Sequence, residues 1–552
     1  MAINSSRRQF LQGAGAFGLS AAALGTLSAC TSSSSSGSGQ QSGSSTATVA
    51  TISLEGLGGD LMTLLVSPDK TWWNQIFDYP VEQNLDGSYI PGLATSWEVS
   101  SDHLTWKFDI REGVKFHNGD DLTADDLAFS YNRLIFNPQS KQSLRSMSTF
   151  VDSITAQGLT LLVKMKQPVA VVPVWFASSD GAVSGTVVSH KYFTKVGAKQ
   201  ASAFPIGTGP YKFVSAQGQQ SVQLTAFLGS DRSAWQKSRT PSVKNIKVIA
   251  VPQESTRTAL LRTGGADIVP ITVADIKTVK GSGGAVKMTP SATYAGMHYL
   301  GYTLNPASPL NDIRLREALS ISIDRASIAK SVYSGTAEPS AAFYGGPHSL
   351  GYPTDLKPPA FDPARAKQLL TAARFSSPVQ IITYDDDTDF PGLPTLGEAI
   401  AGYYQNIGLH AKVNVMDPDA LNTQLYAHKF PGQLGTSAVS PVTVYLRGFD
   451  NIVDMVPDDT TAYTTDGRSG TASFGLPGSK KEQQMLLATG AQFNAAQQAA
   501  ALGNWDRYMA ATWAQCPLLG ASALFGMSKR VSAWSPITSK AEVNNLHTLQ
   551  LK

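Results

Sequence analysis

The chain has 552 residues, too many for one ordinary core, so two or three domains are expected. Hydrophobic residues make up 42% and charged ones only 15%, which fits a packed globule with a surface of small polar side chains and excludes a disordered polyelectrolyte. The formal net charge is +3, and two of those charges, Arg7 and Arg8, lie in a segment expected to be removed, so no basic stripe is left to serve a nucleic-acid partner.

Residues 1–29 read as an export signal. Twin arginines at Arg7 and Arg8 precede an uncharged stretch, residues 13–29, that is too short and too weakly apolar to span a membrane. It ends at Leu27-Ser28-Ala29-Cys30, small residues before a cysteine, as a lipoprotein signal peptidase requires. The segment resembles twin-arginine lipoprotein signals, with Gln12 where a lysine is usual; the general secretion route stays open. Cys30 is then the lipidated residue, and Cys516 has no intramolecular disulfide partner. Residues 30–48 form the anchor and a Ser/Gly tether, spanning roughly 20–25 Å as a flexible coil.

In the body, Leu104 to Ile110 alternates apolar and polar, the pattern of a half-buried strand. Arg111-Glu112-Gly113 should turn it, with Val114-Lys115-Phe116 pairing back. Thr123 and Asp126 should cap a helix that buries Leu127, Tyr131 and Leu134. A helix should open at Asp362-Pro363 and bury Leu369 and Leu370. Residues 379–384 read as a strand, 396–407 as a helix stopped by Gly408, and 411–415 as a second strand. That is a βαβ unit, hence part of a parallel sheet. The fold class is α/β with added antiparallel hairpins, and two such lobes facing each other would make a cleft.

Several blocks, in order, resemble the bacterial extracellular solute-binding proteins of family five, the oligopeptide, dipeptide and nickel type. Pro91-Gly92-Leu93-Ala94-Thr95-Ser96-Trp97-Glu98 leads to Arg111-Glu112-Gly113-Val114-Lys115-Phe116-His117-Asn118-Gly119-Asp120. Ile206-Gly207-Thr208-Gly209-Pro210-Tyr211, Trp235 with Pro241, Gly264-Gly265-Ala266-Asp267, Arg316-Glu317-Ala318-Leu319 and Phe361-Asp362-Pro363 follow. The resemblance implies a two-lobed periplasmic-binding-protein-like fold with a hinge of two crossing strands. Lobe one would comprise 49–85, an inserted subdomain at 86–205, then 206–290 and 517–552; lobe two would be 291–516. With the anchor at Cys30, a monomer held by its lipid on the outer face of the cytoplasmic membrane is expected, and the resemblance implies a binding protein. Such a protein closes around a solute and delivers it to an ABC permease.

Candidate solute contacts are aromatic or polar residues near the expected cleft: Trp72, Trp73, Tyr294, Tyr344, Val439 and Arg447. Adjacent aromatics on extended chain point to opposite sides, so Trp72 and Trp73 should not both be core. Val439 stands where peptide-binding members commonly carry an aspartate for the peptide ammonium. That tilts the expected solute from peptides towards oligosaccharides or another neutral organic compound, peptide remaining the alternative. Arg447 could meet a carboxylate, a phosphate or a sugar edge. Asp385 to Asp389 lacks the glycine of a calcium loop, Gly207 to Pro210 is too short for a phosphate loop, and no zinc or nucleophile motif appears. No cofactor, metal or catalytic set is expected. An anchored hydrolase is the rival class; a sensor receptor would share every residue feature.

Overall fold

The alternation before residue 111 does become a strand, Thr105–Ile110. Trp106, Phe108 and Ile110 are buried, while Lys107 and Asp109 face solvent. Its edges are taken by the antiparallel strands Ala94–Val99 and Thr160–Met165, and Val151–Gln157 completes a four-stranded sheet. With both edges filled, Val114-Lys115-Phe116 cannot pair back, contrary to the sequence expectation. Residues 111–122 fold on themselves instead: Lys115 bridges to Asp121, and the Leu122 N–H donates to the Val114 carbonyl at 2.8 Å.

Helix Ala124–Phe136 opens as expected. An Asp126 carboxylate oxygen accepts from the Thr123 N–H at 2.8 Å and from its hydroxyl at 2.7 Å. Asp125 instead pairs with the His190 ring at 2.6 Å. Leu127, Tyr131 and Leu134 are buried in the core beneath.

The computed structural model describes residues 46–552 apart from 53, 55–70, 85–87, 139–146, 178–186, 291–295, 303–308, 343–350, 385–391, 417–441, 450–478, 514–515 and 539–541. The first lobe is built on a seven-stranded sheet. In spatial order its strands are Ala285–Met288, Leu524–Met527, Ile268–Pro270, Thr46–Thr51, Asn245–Ala250, Ser221–Ala226 and Tyr211–Gln217. The four-stranded sheet is inserted in the chain between Thr46–Thr51 and Tyr211–Gln217, and it shares one large apolar core with the lobe.

The second lobe is a six-stranded sheet, ordered Ala337–Pro339, Cys516–Ala521, Gly296–Tyr302, Val442–Phe449, Val379–Tyr384 and Ala411–Met416. Its βαβ unit is the one read from sequence. Val379–Tyr384 and Ala411–Met416 pair in parallel, Val379 opposite Ala411, with helix Leu393–Asn406 between them. Helix Pro363–Ala372 is capped by the Asp362 carboxylate, which accepts from the Arg365 N–H at 2.8 Å. This lobe has its own core, separate from the first.

Among the described strands the chain passes between the two sheets twice, after Met288 and after Ala521. The two passages are tied side by side. The Thr289 N–H donates to the Ala523 carbonyl at 3.0 Å, and the Ala523 N–H donates to the Thr289 hydroxyl at 2.8 Å. Thr289 is 1% exposed, so this reciprocal pair is shielded from competing solvent.

Candidate ligand site

The segment carrying the two tryptophans is not extended. Trp72 has right-handed helical angles and a short 3-10 turn runs over Trp73–Gln75. The premise that the two rings point to opposite faces of a strand therefore fails. Trp72 lies in the core at 0% exposed, and Trp73 is half-buried. Their rings meet edge to face at 5.5 Å, and Trp73 lies 5.1 Å from Phe77.

Three devices fix this segment to the first lobe. The first is close backbone approach. A Cβ on Gly207 would sit 2.1 Å from the Ile76 carbonyl oxygen, and one on Gly209 2.6 Å from that of Gln75, so only glycine fits there. The Gly209 N–H uses the approach to donate to the Ile76 carbonyl at 2.9 Å.

The second is a buried ion pair. Asp78, fully enclosed, accepts from Arg239 at 2.7 Å and from the Thr208 hydroxyl at 2.9 Å. Burial works against the Arg239 charge, but Asp78 and Glu82 beside it more than restore it, and its pKa is raised. Burial pushes the Glu82 carboxyl up to about 7, against the pull of Arg239.

The third is a stack. The Trp235 ring has the Arg239 guanidinium at 4.5 Å and that of Arg111 at 5.1 Å. Next to it the Gln236 amide donates to the Lys115 carbonyl at 2.8 Å and accepts from the Lys115 N–H at 3.0 Å. The inserted subdomain is thereby welded to the lobe.

His117 closes the same junction. Its Nε2 lies 3.0 Å from the Gly209 carbonyl, and its Nδ1 accepts from the Gly207 N–H at 3.4 Å, so the ring is neutral with its proton on Nε2. Burial holds its pKa down to about 3. A depressed histidine contributes stability that is complete above its unfolded value near 6.5 and is lost as pH falls from there towards 3. Measured by urea unfolding, the stability lost between pH 7 and pH 4 should therefore be smaller in His117→Gln than in the wild type, since His547, likewise held down to about 3 by burial, and Glu82, which acts in the opposite sense, are common to both. An equal loss in the two proteins would mean the ring is already charged or solvated in the fold.

A polar cavity of about 40 Å³ lies beneath the segment, lined by Asn74, Gln75, Tyr79, Glu82, Arg239 and His547 among others. An organic solute needs several hundred Å³, so this cavity is structural rather than the solute chamber. Among the described residues no cluster of histidine, cysteine, aspartate or glutamate could hold a metal ion, and no helix is long and apolar enough to cross a membrane.

Residues 88–472 match the model for bacterial extracellular solute-binding proteins, family 5 Middle. The chain belongs to this family. Family 5 is made up of binding proteins that take up small solutes outside the cytoplasm for ABC importers. Over 309 residues the chain is 28% identical to the glutathione-binding protein of Pectobacterium atrosepticum, covering 55% of this chain and 56% of that one. Over 389 residues it is 29% identical to the dipeptide-binding protein of Escherichia coli, covering 65% and 70%. Its fold matches the periplasmic binding protein DppA of Helicobacter pylori, solved with a bound peptide. That match has a TM-score of 0.73 at 18% identity, over 92% of this chain and 98% of that one.

In this family 5 protein, Trp72 and Trp73 belong to the segment fixed to the first lobe. Arg447 stands on strand Val442–Phe449, opposite Tyr299 in the register. Tyr294, Tyr344 and Val439 lie outside the described residues, as do Asp385 to Asp389 and the signal and anchor residues Arg7, Arg8 and Cys30. Sequence reading missed Asp78, Arg239, His117 and Thr289. Arg239 and His117 stood inside or beside recognised blocks, but their partners are far away along the chain.

Proposed function

We propose that the protein captures a short peptide or peptide-derived solute between its two lobes and hands it to an ABC permease without altering it. The observation that carries this reading is the pair of chain passages bound through Thr289 and Ala523, which join two separate cores and so provide a hinge in a chain of this family. The names of the relatives, which bind dipeptides and glutathione, support a peptide class. The valine at position 439 argues the other way, because a peptide ammonium would lack the aspartate that commonly meets it there, and it keeps a neutral sugar as the second reading. In this proposal lobe one comprises 49–85, 206–290 and 517–552 with the subdomain 86–205, and lobe two is 291–516. Trp73 and Arg447 contribute to the walls of the chamber. Cys30 carries the lipid anchor, and Arg7 and Arg8 direct twin-arginine export to the outer face of the membrane, where the protein works as a monomer.

The test is a thermal-shift screen of the body against dipeptides, glutathione, oligosaccharides and metal chelates. A solute at a hundred times its dissociation constant adds about 2.7 kcal/mol of stability. Stabilisation by a peptide class with the solute recovered intact is the expected result. Stabilisation by sugars alone would move the ligand class, and consumption of the solute would make the protein an enzyme.

A further inference from the structure

The second lobe reaches the inserted subdomain by a route separate from the hinge. Helices Ser479–Gly490 and Ala495–Thr512 form an antiparallel hairpin. Its base is rooted in the second core through Trp505 and Met509, with Met485 packed alongside. The buried Arg316 guanidinium donates to the carbonyls of Thr512 and Trp513 at 2.8 and 2.9 Å, fixing that end. The tip does the opposite: Leu487 and Phe493 pack against the first core.

The receiving surface is shaped for it. The Phe493 ring stacks on His103 at 3.9 Å and 13°, and lies 6.0 Å from Trp106 at 28°. The Ala170 N–H donates to the Gly490 carbonyl at 2.5 Å, and the Trp106 indole N–H holds the neighbouring Val169 carbonyl at 2.9 Å. His103 adopts the left-handed conformation, φ 58°, which a side chain visits only at a cost. Ser100 and Asp102 enforce it. Asp102 accepts from the Ser100 hydroxyl at 2.5 Å and from the Leu104 N–H at 3.0 Å, and the Ser100 hydroxyl accepts from the Thr105 N–H at 2.9 Å. The loop thus presents the His103 ring flat against a residue of the other lobe.

We propose that the tip of this helical hairpin is a latch between the lobes: Phe493, seated on His103 and Trp106, holds the second lobe against the inserted subdomain and sets how readily the hinge moves. The inference rests on the hinge reading but not on any ligand. Apparent solute affinity scales with the fraction of molecules in the binding arrangement, so the latch would tune affinity from outside the chamber.

The test is amide hydrogen exchange on the full-length, solute-free chain in detergent, comparing wild type, Phe493→Ala and His103→Gly. Glycine suits φ 58°, so the second variant removes the ring without straining the loop. Both variants are expected to speed exchange several-fold at Ala170 and residues 100–106, and also at the distant passages, Thr289 and residues 522–523. Acceleration confined to the tip and its seat, with the passages unchanged, would reduce the contact to static packing and overturn the proposal. If Phe493→Ala accelerates exchange everywhere, His103→Gly decides by the same criterion.

Discussion

Replacing Arg239 by Met should cost about 3–5 kcal/mol of unfolding free energy, the scale for removing one partner of a buried ion pair. Asp78 is fully enclosed, and among the described residues it keeps only the Thr208 hydroxyl as a side-chain donor once the guanidinium is gone. The loss is larger than that of a surface pair because the stranded carboxylate has no water to turn to. The same change removes the cation from beside Glu82 and from one face of Trp235.

The effect has a sign with pH. Glu82 is already raised to about 7 by burial, so the fold prefers its protonated form. A raised carboxyl contributes stability that is present at low pH and is lost as pH climbs from its unfolded value near 4.5 to its folded value. Without Arg239 that folded value rises further, so the penalty should grow between pH 5 and pH 8. Urea unfolding at both pH values measures it. The double variant Asp78→Asn, Arg239→Met should recover part of the loss, because neither charge is then buried alone. A single variant as stable as wild type at pH 8 would mean that Asp78 reaches solvent.

What the sequence disclosed follows the range of the interactions. The strand at Thr105–Ile110, the cap at Thr123 and the βαβ unit from Val379 to Met416 are written in residues a few positions apart, where period and capping chemistry act. Val114 to Phe116 departs from its expected pairing for a non-local reason. Whether a strand has a free edge depends on partners such as Thr160–Met165, far along the chain, and no local pattern announces them. The junction around Arg239 is the extreme case: 161 positions separate it from Asp78, and 92 separate His117 from Gly209. Matched blocks point to these residues but not to their chemistry. Trp72 and Trp73 stand out in the sequence as adjacent aromatics. Their placement turns on a 3-10 turn that the local sequence does not mark.

Gly207 carries the second large effect. Valine there should cost about 3 kcal/mol or more, from overpacking of about 1–3 kcal/mol together with hydrogen bonds near 1 kcal/mol each. The obstruction is backbone: the new Cβ would meet the Ile76 carbonyl oxygen at 2.1 Å and the Phe77 ring at 2.7 Å. The Ile76 carbonyl cannot retreat without releasing the Gly209 N–H it accepts at 2.9 Å, and the Gly207 carbonyl cannot retreat without releasing the His117 N–H, also at 2.9 Å. Gly402 is the control. It lies inside helix Leu393–Asn406, and a methyl added there would have nothing within 4 Å, so Gly402→Ala should instead stabilise by about 0.5–1 kcal/mol. The Gly207 change also displaces the turn that bears Trp73, so affinity for whichever solute the screen identifies should fall at least about tenfold, the equivalent of about 1.4 kcal/mol. Calorimetric titration beside urea unfolding separates the two consequences. A Gly207→Val protein with wild-type stability would refute the close approach. A destabilised one with wild-type affinity would remove the Trp73 turn from the walls of the chamber.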